Sequence, residues 1–173
     1  MTNPVCLSVV LLLAHAARLQ SGLSIGAAVP SWEPVHVAGP DQGTQACPVC
    51  TYGARPMILV VTRDGPNAAT LAARVEHLVA TAADEELKGF VVVTGSTPAR
   101  LRRLAREQGI EKAALCYPEP GHEHTDLQEK LKINPRARNT VLVYRHFRVT
   151  ATFVNVDGRT FDEVEQAVRR TLE

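Results

Sequence analysis

Two cysteines separated by two residues, Cys47 and Cys50, carry the clearest chemical potential in this chain. Their spacing lets one thiolate attack a substrate disulfide while the other resolves the mixed disulfide that forms. Arg55 is the nearby cation in the sequence that could favour a thiolate. The pattern therefore predicts a redox-active pair, with both cysteines as candidate catalytic residues.

Two other roles fit the same spacing. A structural disulfide between Cys47 and Cys50 would stabilise the fold by about 2 kcal/mol, against about 4.4 kcal/mol for a bridge from this loop to Cys116. A metal site needs four nitrogen or sulfur ligands. It would have to combine cysteines with His36, His122 or His124, and no second C-x-x-C supports it. We therefore expect no metal and no cofactor, and the easily reopened short loop favours the redox role.

Composition limits the classes of partner. The chain has 173 residues, 45% of them hydrophobic, which suits one globular domain with a short appendage. Its 19 basic and 18 acidic residues leave a net charge of +1, so no general attraction to nucleic acid is expected. Nothing in the composition predicts an oligomeric state.

The N-terminus has the pattern of a signal peptide. An apolar run from Val5 to Ala14 ends in Ala14-His15-Ala16, the small-x-small motif that precedes cleavage, and is too short to span a bilayer. We expect a signal peptide over 1–16, with a cut as late as residue 28 as the other reading. The mature protein would have no membrane anchor and would be extracytoplasmic, either periplasmic or secreted, where disulfides persist.

Strand and helix patterns alternate along the rest of the chain. Residues 17–34 mix Ser, Gly, Ala and Pro without periodicity, which is typical of a linker, so the domain is predicted over 35–173. Apolar runs at 57–61 and 90–93 are typical of parallel strands buried on both faces. Asn67 is predicted to cap the helix after the first run, and Thr97 with Pro98 the helix after the second.

The second half of the domain predicts the closing elements. They are a strand at 113–117, a short helix opened by a capping box at Thr125, a hairpin of 140–144 with 149–154, and a last helix opened by a capping box at Thr160. The order βαβαβαββα predicts an α/β fold, a three-layer α/β/α sandwich with a mixed sheet.

This closing pattern resembles the thioredoxin-like superfamily, and within it the redoxin and peroxiredoxin branch. Asn139–Tyr144, Val149–Val154 and the last helix are similar to the final ββα unit of those folds, and residues 90–109 to their middle strand and helix. The resemblance covers roughly residue 35 to the end. It implies a thiol–disulfide oxidoreductase that acts on protein or small-molecule thiols and disulfides, with Cys47 as the attacking thiolate.

The chain departs from that family at three places. Residues 62–67, where the family's reactive cysteine follows the first central strand, contain none, so peroxidase chemistry is not expected there. Asn139 stands where thioredoxins have a cis-proline. The hairpin turn 145–148 lacks the glycine that a left-handed turn position commonly needs.

The cysteine pair is also displaced, because it precedes the strand at 57–61 and should lie near that strand's amino end. Gly53 and Pro56 argue against a long helix from Cys50, so no helix N-terminus is expected to activate a cysteine. The alternative to the enzyme is a non-catalytic thioredoxin-fold binding module in which the pair is a structural disulfide.

Overall fold

The computed structural model describes residues 19–173, so the predicted signal peptide lies outside the described residues. The strands are β1 Pro34–Ala38, β2 Met57–Arg63, β3 Lys88–Thr94, β4 Ala114–Pro118, β5 Asn139–Arg145 and β6 Arg148–Val154. The helices are α1 Pro48–Tyr52, α2 Pro66–Thr81, α3 Pro98–Gln108 and α4 Phe161–Leu172, and a π-helical segment covers His124–Lys130. Within residues 19–173, no helix combines the length and the apolar character needed to cross a membrane.

All six strands form one mixed sheet in the order β1-β4-β3-β2-β5-β6. The inner strands β2, β3 and β4 run parallel, and β1, β5 and β6 each pair antiparallel with their neighbours. Parallel neighbours need a crossover connection, which α2 and α3 supply. The predicted mixed sheet and closing hairpin are confirmed.

Strand β2 explains why its sequence is apolar without alternation. Ile58 and Val60 face a core that is covered by α2, α3 and α4. Met57, Leu59 and Val61 face a second core on the other side of the sheet. Helices and other segments therefore cover both faces, as a three-layer sandwich requires.

The second face is covered by α1, the π-helical segment and residues that precede β1. Leu23, Val29 and Trp32 are buried in this core, with Trp32 only 1% exposed. The sequence predicts a linker here because these apolar residues follow no helical or strand period. The packed structure thus includes residues from the predicted linker.

Helix ends follow the predictions in part. Thr97 caps α3, since its hydroxyl accepts a hydrogen bond from the Arg100 amide at 3.3 Å. The capping boxes predicted at Thr125 and Thr160 are wrong, because neither helix has a side-chain cap. Near α4, the Asp157 carboxylate accepts from the Thr160 amide at 3.0 Å instead, which holds the pKa of Asp157 below its ordinary value.

The start of α2 also differs from the prediction. This helix begins at Pro66, and Gly65 occupies the cap position without a side-chain hydrogen bond. Asn67 lies inside the first turn and donates to the carbonyl of Val156, 3.3 Å away. The predicted Asn67 cap is therefore wrong, because the helix begins one residue earlier, at Pro66, which is a favoured first helical residue.

Candidate functional site

Cys47 and Cys50 are joined by a disulfide, with their Cα atoms 5.3 Å apart. The two sulfur-bearing residues differ in exposure. Cys47 is buried, with 8% of its surface accessible, whereas Cys50 is exposed. A molecule in solution therefore meets Cys50 first, although the resemblance implied that Cys47 would be the attacking residue.

The local sequence produces this asymmetry through a five-residue helix. Cys47 has an extended backbone and is the cap of α1, and its Sγ accepts a hydrogen bond from the Cys50 amide at 3.2 Å. Pro48 begins the helix, and Gly53, with a φ of 60°, ends it. The expectation of no long helix is confirmed, but the expectation of no helix N-terminus is wrong.

The disulfide lies at the amino edge of the sheet, as its position in the chain predicts. Pro56 directly precedes β2, and its carbonyl accepts a hydrogen bond from the Lys88 amide at the start of β3. Cys50 opens into a cavity of about 420 Å³ at this edge, lined also by Arg55, Arg145 and His146. The site is therefore at the opposite edge from the carboxyl ends of the parallel strands.

Arg55 does not act as a free cation beside the sulfurs. Its Nε forms an ion pair with Glu86 at 3.1 Å, and its Nη1 donates to the Tyr52 carbonyl at 3.3 Å. The pair is partly exposed, so it contributes little to stability. Glu86 nevertheless compensates the positive charge of Arg55. Arg55 therefore stabilises a cysteine thiolate less than the sequence predicts.

Tyr52 anchors the end of α1 to the loop after β1. Its hydroxyl donates a hydrogen bond of 2.7 Å to the Asp41 carboxylate. Burial, and then this hydrogen bond, raise the pKa of Tyr52 above its ordinary value. The ring lies 5.8 Å from Phe90 between centroids, and Lys88 Nζ lies 5.4 Å from the Tyr52 ring centre. Tyr52 thus attaches the C-terminal end of α1 to the loop after β1 and to the second core.

The buried side chain of His36 links the segment before Cys47 to Cys116. His36 Nε2 lies 2.9 Å from the Ala46 carbonyl, which can only accept, so this nitrogen carries the proton. In the neutral ring Nδ1 is then an acceptor, and it lies 3.4 Å from Cys116 Sγ. His36 therefore accepts a hydrogen bond from the Cys116 thiol and donates one to the carbonyl of Ala46, the residue that precedes Cys47.

Cys116 is buried in the core, in strand β4. Its exposed surface is 0%, and burial raises the pKa of its thiol well above the ordinary value. It is a free cysteine. Deep burial makes it a poor nucleophile toward molecules in solution.

Two of the three histidines considered as metal ligands, His122 and His124, lie elsewhere. His122 contacts Glu119 at 2.6 Å, and His124 contacts Glu129 at 3.4 Å, both on exposed surface. Across residues 19–173, no three His, Cys, Asp or Glu side chains are grouped so that they could hold a metal ion. The structure thus does not bring these histidines together with the cysteines.

Two cavities lie at the carboxyl edge of the parallel strands. One of about 40 Å³ is lined in part by Thr62, Arg63 and Asn139, and one of about 390 Å³ is lined in part by Asp64 and Arg100. Asn139 donates to the Val156 carbonyl and accepts from its amide, each at 2.8 Å. Arg63 donates to the Pro135 carbonyl. These contacts pair polar groups of Asn139 and Arg63, whereas the buried hydroxyl of Ser96, just after β3, makes no hydrogen bond within residues 19–173.

Two buried polar atoms of the second core make no hydrogen bond within the described part of the chain. They are the indole nitrogen of Trp32 and the hydroxyl of Tyr144. Burial raises the pKa of Tyr144 above its ordinary value. Both residues belong to the core that contains Cys47. The sequence does not place Trp32 in this core because Trp32 lies in an aperiodic segment.

Comparisons with known proteins support the fold. No protein-family model matches the chain, and no curated protein matches it. A structure of a putative thiol:disulfide interchange protein DsbE from Chlorobium tepidum has a TM-score of 0.69 at 10% identity, covering 87% of this chain and 99% of that one. Peroxidoxin BcpB from Mycobacterium tuberculosis has a TM-score of 0.67 at 13% identity, covering 86% and 97%.

A thiol peroxidase from Chromobacterium violaceum is similar as well, with a TM-score of 0.61 at 18% identity, covering 88% of this chain and 90% of that one. These similarities extend over nearly the whole described structure. The chain therefore has the thioredoxin-like fold, as the closing ββα pattern predicts.

Proposed function

We propose that this protein is a thiol–disulfide oxidoreductase that opens and closes the Cys47–Cys50 bond, and that Cys50 is the sulfur exchanged with substrate. One observation carries the proposal: Cys50 is exposed, whereas buried Cys47 accepts a hydrogen bond from the Cys50 amide. The accessible sulfur can be attacked, and the sheltered sulfur has a donor that stabilises negative charge when it leaves.

In the oxidising direction, a substrate thiolate attacks Cys50 Sγ and the bond to Cys47 breaks. Cys47 leaves as a thiolate with the bonding electron pair, beside the Cys50 amide at 3.2 Å. A second substrate thiol then attacks the mixed disulfide and releases Cys50. The substrate loses two electrons, the protein becomes a dithiol, and the two substrate protons are transferred to its thiolates through solvent.

In the reducing direction the same steps run backwards. The Cys50 thiolate attacks a substrate disulfide, and Cys47 then attacks Cys50 Sγ and releases the second substrate sulfur as a thiolate. An external thiol reductant must reopen the protein disulfide after each turnover. This assignment replaces the order implied by the resemblance, in which Cys47 attacks first.

A titration across redox buffers tests this proposal against the alternative of a structural disulfide. A redox-active bond opens near glutathione potentials, and mass spectrometry of alkylated thiols then shows two new labels at Cys47 and Cys50. A bond that stays closed below about −300 mV supports the binding module instead. An insulin-reduction assay of wild type beside Cys50→Ser adds the functional readout, and equal rates would contradict the enzyme.

We further propose that the mature protein works outside the cytoplasm. The support is the apolar run ending in Ala14-His15-Ala16, together with a disulfide at Cys47 and Cys50, a bond that persists in oxidising compartments. N-terminal sequencing of protein recovered from the extracytoplasmic fraction is expected to begin near residue 17, because Leu23 is part of the second core. Protein that retains Met1 and fractionates with the cytoplasm would contradict this location.

A further inference from the structure

The turn between β5 and β6 has an unfavourable backbone. His146 has a φ of 50° and Phe147 a φ of 63°, so two adjacent non-glycine residues are left-handed. Turns of this kind favour Asn-Gly, and a bulky aromatic residue at positive φ is a clear outlier. Strain of this sort persists where surrounding structure imposes it, and it clusters at functional sites.

Two hydrogen bonds hold the turn in place. The His146 amide donates to the Ala54 carbonyl at 3.1 Å, in the loop that follows α1. The Phe147 carbonyl accepts from the Val29 amide at 2.9 Å, in the segment that precedes β1. His146 also lines the cavity into which Cys50 opens. The strained turn is therefore part of the rim of the cysteine site.

Exposed apolar surface continues along this rim. Ile25 and Phe147, which are 72% and 44% exposed, are the exposed large hydrophobic residues in the described part of the chain. The Gly26 amide donates to the Val149 carbonyl at 2.8 Å, and Ala28 forms a bridge with Arg148. These contacts place both residues on one backbone strip, in which residues 25–29 lie against the β5–β6 turn, and His146 of that turn lines the Cys50 cavity.

The same strip is positively charged. Arg148 is exposed, and its guanidinium donates to the Gly26 carbonyl at 3.2 Å. Arg145 donates to the carbonyl of Thr171 at 2.8 Å. Across residues 19–173, neither arginine forms an ion pair with a carboxylate. Arg55, in contrast, is paired with Glu86, and Glu85 is a further carboxylate that lines the Cys50 cavity beside the turn. The turn thus combines uncompensated positive charge with an exposed aromatic ring.

We infer that the turn, with Ile25, is the docking surface for a polypeptide substrate whose cysteine is flanked by an apolar side chain and acidic residues. The inference rests on the proposed function, because docking here brings a substrate sulfur to Cys50. The positive charges of Arg145 and Arg148 favour acidic residues in the substrate. The exposed side chains of Phe147 and Ile25 favour an apolar side chain next to the substrate cysteine. The strained turn holds Phe147 toward solvent rather than into the core.

The test compares three disulfide probes. Two are peptides with a central cystine and one adjacent leucine, flanked by glutamate in one peptide and by lysine in the other. The third is hydroxyethyl disulfide, which is small and neutral and has no side chains that could contact the docking surface. Steady-state assays give kcat/KM for each probe with wild type, Phe147→Gly, Arg148→Gln and the control Arg102→Gln, whose side chain is exposed on α3.

Wild type is expected to favour the glutamate peptide over the lysine peptide by about tenfold, and less at high salt. Phe147→Gly lowers the ratio of glutamate-peptide to hydroxyethyl-disulfide kcat/KM several-fold, and glycine keeps the left-handed turn. Arg148→Gln removes most of the preference for glutamate over lysine. Arg102→Gln leaves both ratios at their wild-type values.

Equal rates for the two peptides, or wild-type ratios in Phe147→Gly, would overturn the docking surface. If hydroxyethyl disulfide is still reduced in a Cys50-dependent way, the proposed function stands while the docking surface falls. If Cys50→Ser reacts with hydroxyethyl disulfide as fast as wild type, the proposed function fails first, and the docking inference fails with it.

Discussion

The backbone amide of Cys50 donates a hydrogen bond to Cys47 Sγ at 3.2 Å, so each cysteine in the pair shapes the chemistry of the other. Cys47 is the buried cap of a short helix, and Cys50 is the exposed residue of its first turn. This relationship makes Cys47 the sulfur that leaves or resolves and Cys50 the sulfur that meets substrate.

His36 is predicted to position the cysteine loop. In His36→Ala the Ala46 carbonyl and the Cys116 thiol lose their partner, which should lower the free energy of unfolding by about 1–3 kcal/mol. Denaturant unfolding of the oxidised protein measures this change. The reduction potential of the Cys47–Cys50 pair should shift as well, which a purely structural loss elsewhere in the fold would not produce.

The matched control is His77→Ala, because His77 is exposed on α2. Its stability should stay within about 0.5 kcal/mol of wild type, as for most surface substitutions. If His36→Ala unfolds like this control and keeps the wild-type potential, the positioning role of His36 is wrong.

Cys116 is predicted to be unreactive in the folded protein. Burial raises its thiol pKa and excludes reagents, so iodoacetamide should label it only after denaturation. Intact-mass measurement on oxidised protein without residues 1–16, and therefore without Cys6, should show no adduct in the native state and one adduct after addition of denaturant. Rapid labelling of Cys116 in the native state would mean that the second core is open.

Alkaline pH is predicted to weaken the attachment of α1. The pKa of Tyr52 is raised in the folded protein, so its stabilising proton is fully held below the ordinary value of 10.0 and stability is lost as pH rises beyond that value. Cys116 and Tyr144, whose pKa values are also raised by burial, act in the same direction. Unfolding by urea at pH 8 and at pH 10.5 measures the loss.

Tyr52→Phe separates the Tyr52 contribution from the other two groups. It lacks the hydrogen bond to Asp41, so it should be less stable than wild type by about 1 kcal/mol at pH 8. The difference should shrink above pH 10, because unfolded wild type then releases the Tyr52 proton that the folded protein still holds. A constant difference across that range would show that the bond to Asp41 does not titrate as described.

The β5–β6 turn is predicted to cost stability. Replacing His146 and Phe147 together by Asn and Gly removes two strained left-handed conformations and should raise the free energy of unfolding by about 1–2 kcal/mol. Thermal unfolding provides the measurement. His146→Ala alone keeps a non-glycine residue at positive φ and should give no gain. A double variant no more stable than wild type would argue against strain.

The sequence predicts those parts of the fold that carry a local apolar pattern or a helix-cap motif. The apolar run in β2 and the Thr97 cap of α3 are local signals, and both are observed. The short helix α1 has too few residues to show a period, so the Cys47 cap was not foreseen. The segment containing Trp32 was predicted to be a linker because its burial follows no pattern.

The site was predictable in type but not in arrangement. The C-x-x-C spacing indicated the disulfide, and the order of motif and strand indicated the amino edge. Which cysteine faces solvent depends on how α1 packs against the second core, which no local pattern encodes. The contact of His36 with Ala46 was hidden because its partner is a backbone carbonyl.

The most direct test traps the mixed disulfide in variants that lack one cysteine of the pair. Cys47→Ser and Cys50→Ser are each incubated with an excess of hydroxyethyl disulfide, and mass spectrometry with peptide mapping follows the adduct over time. We predict rapid adduct formation at Cys50 in Cys47→Ser and, because Cys47 is buried, much slower formation at Cys47 in Cys50→Ser. An adduct that forms as fast at Cys47 as at Cys50 would contradict the assignment of Cys50 as the exchanging sulfur.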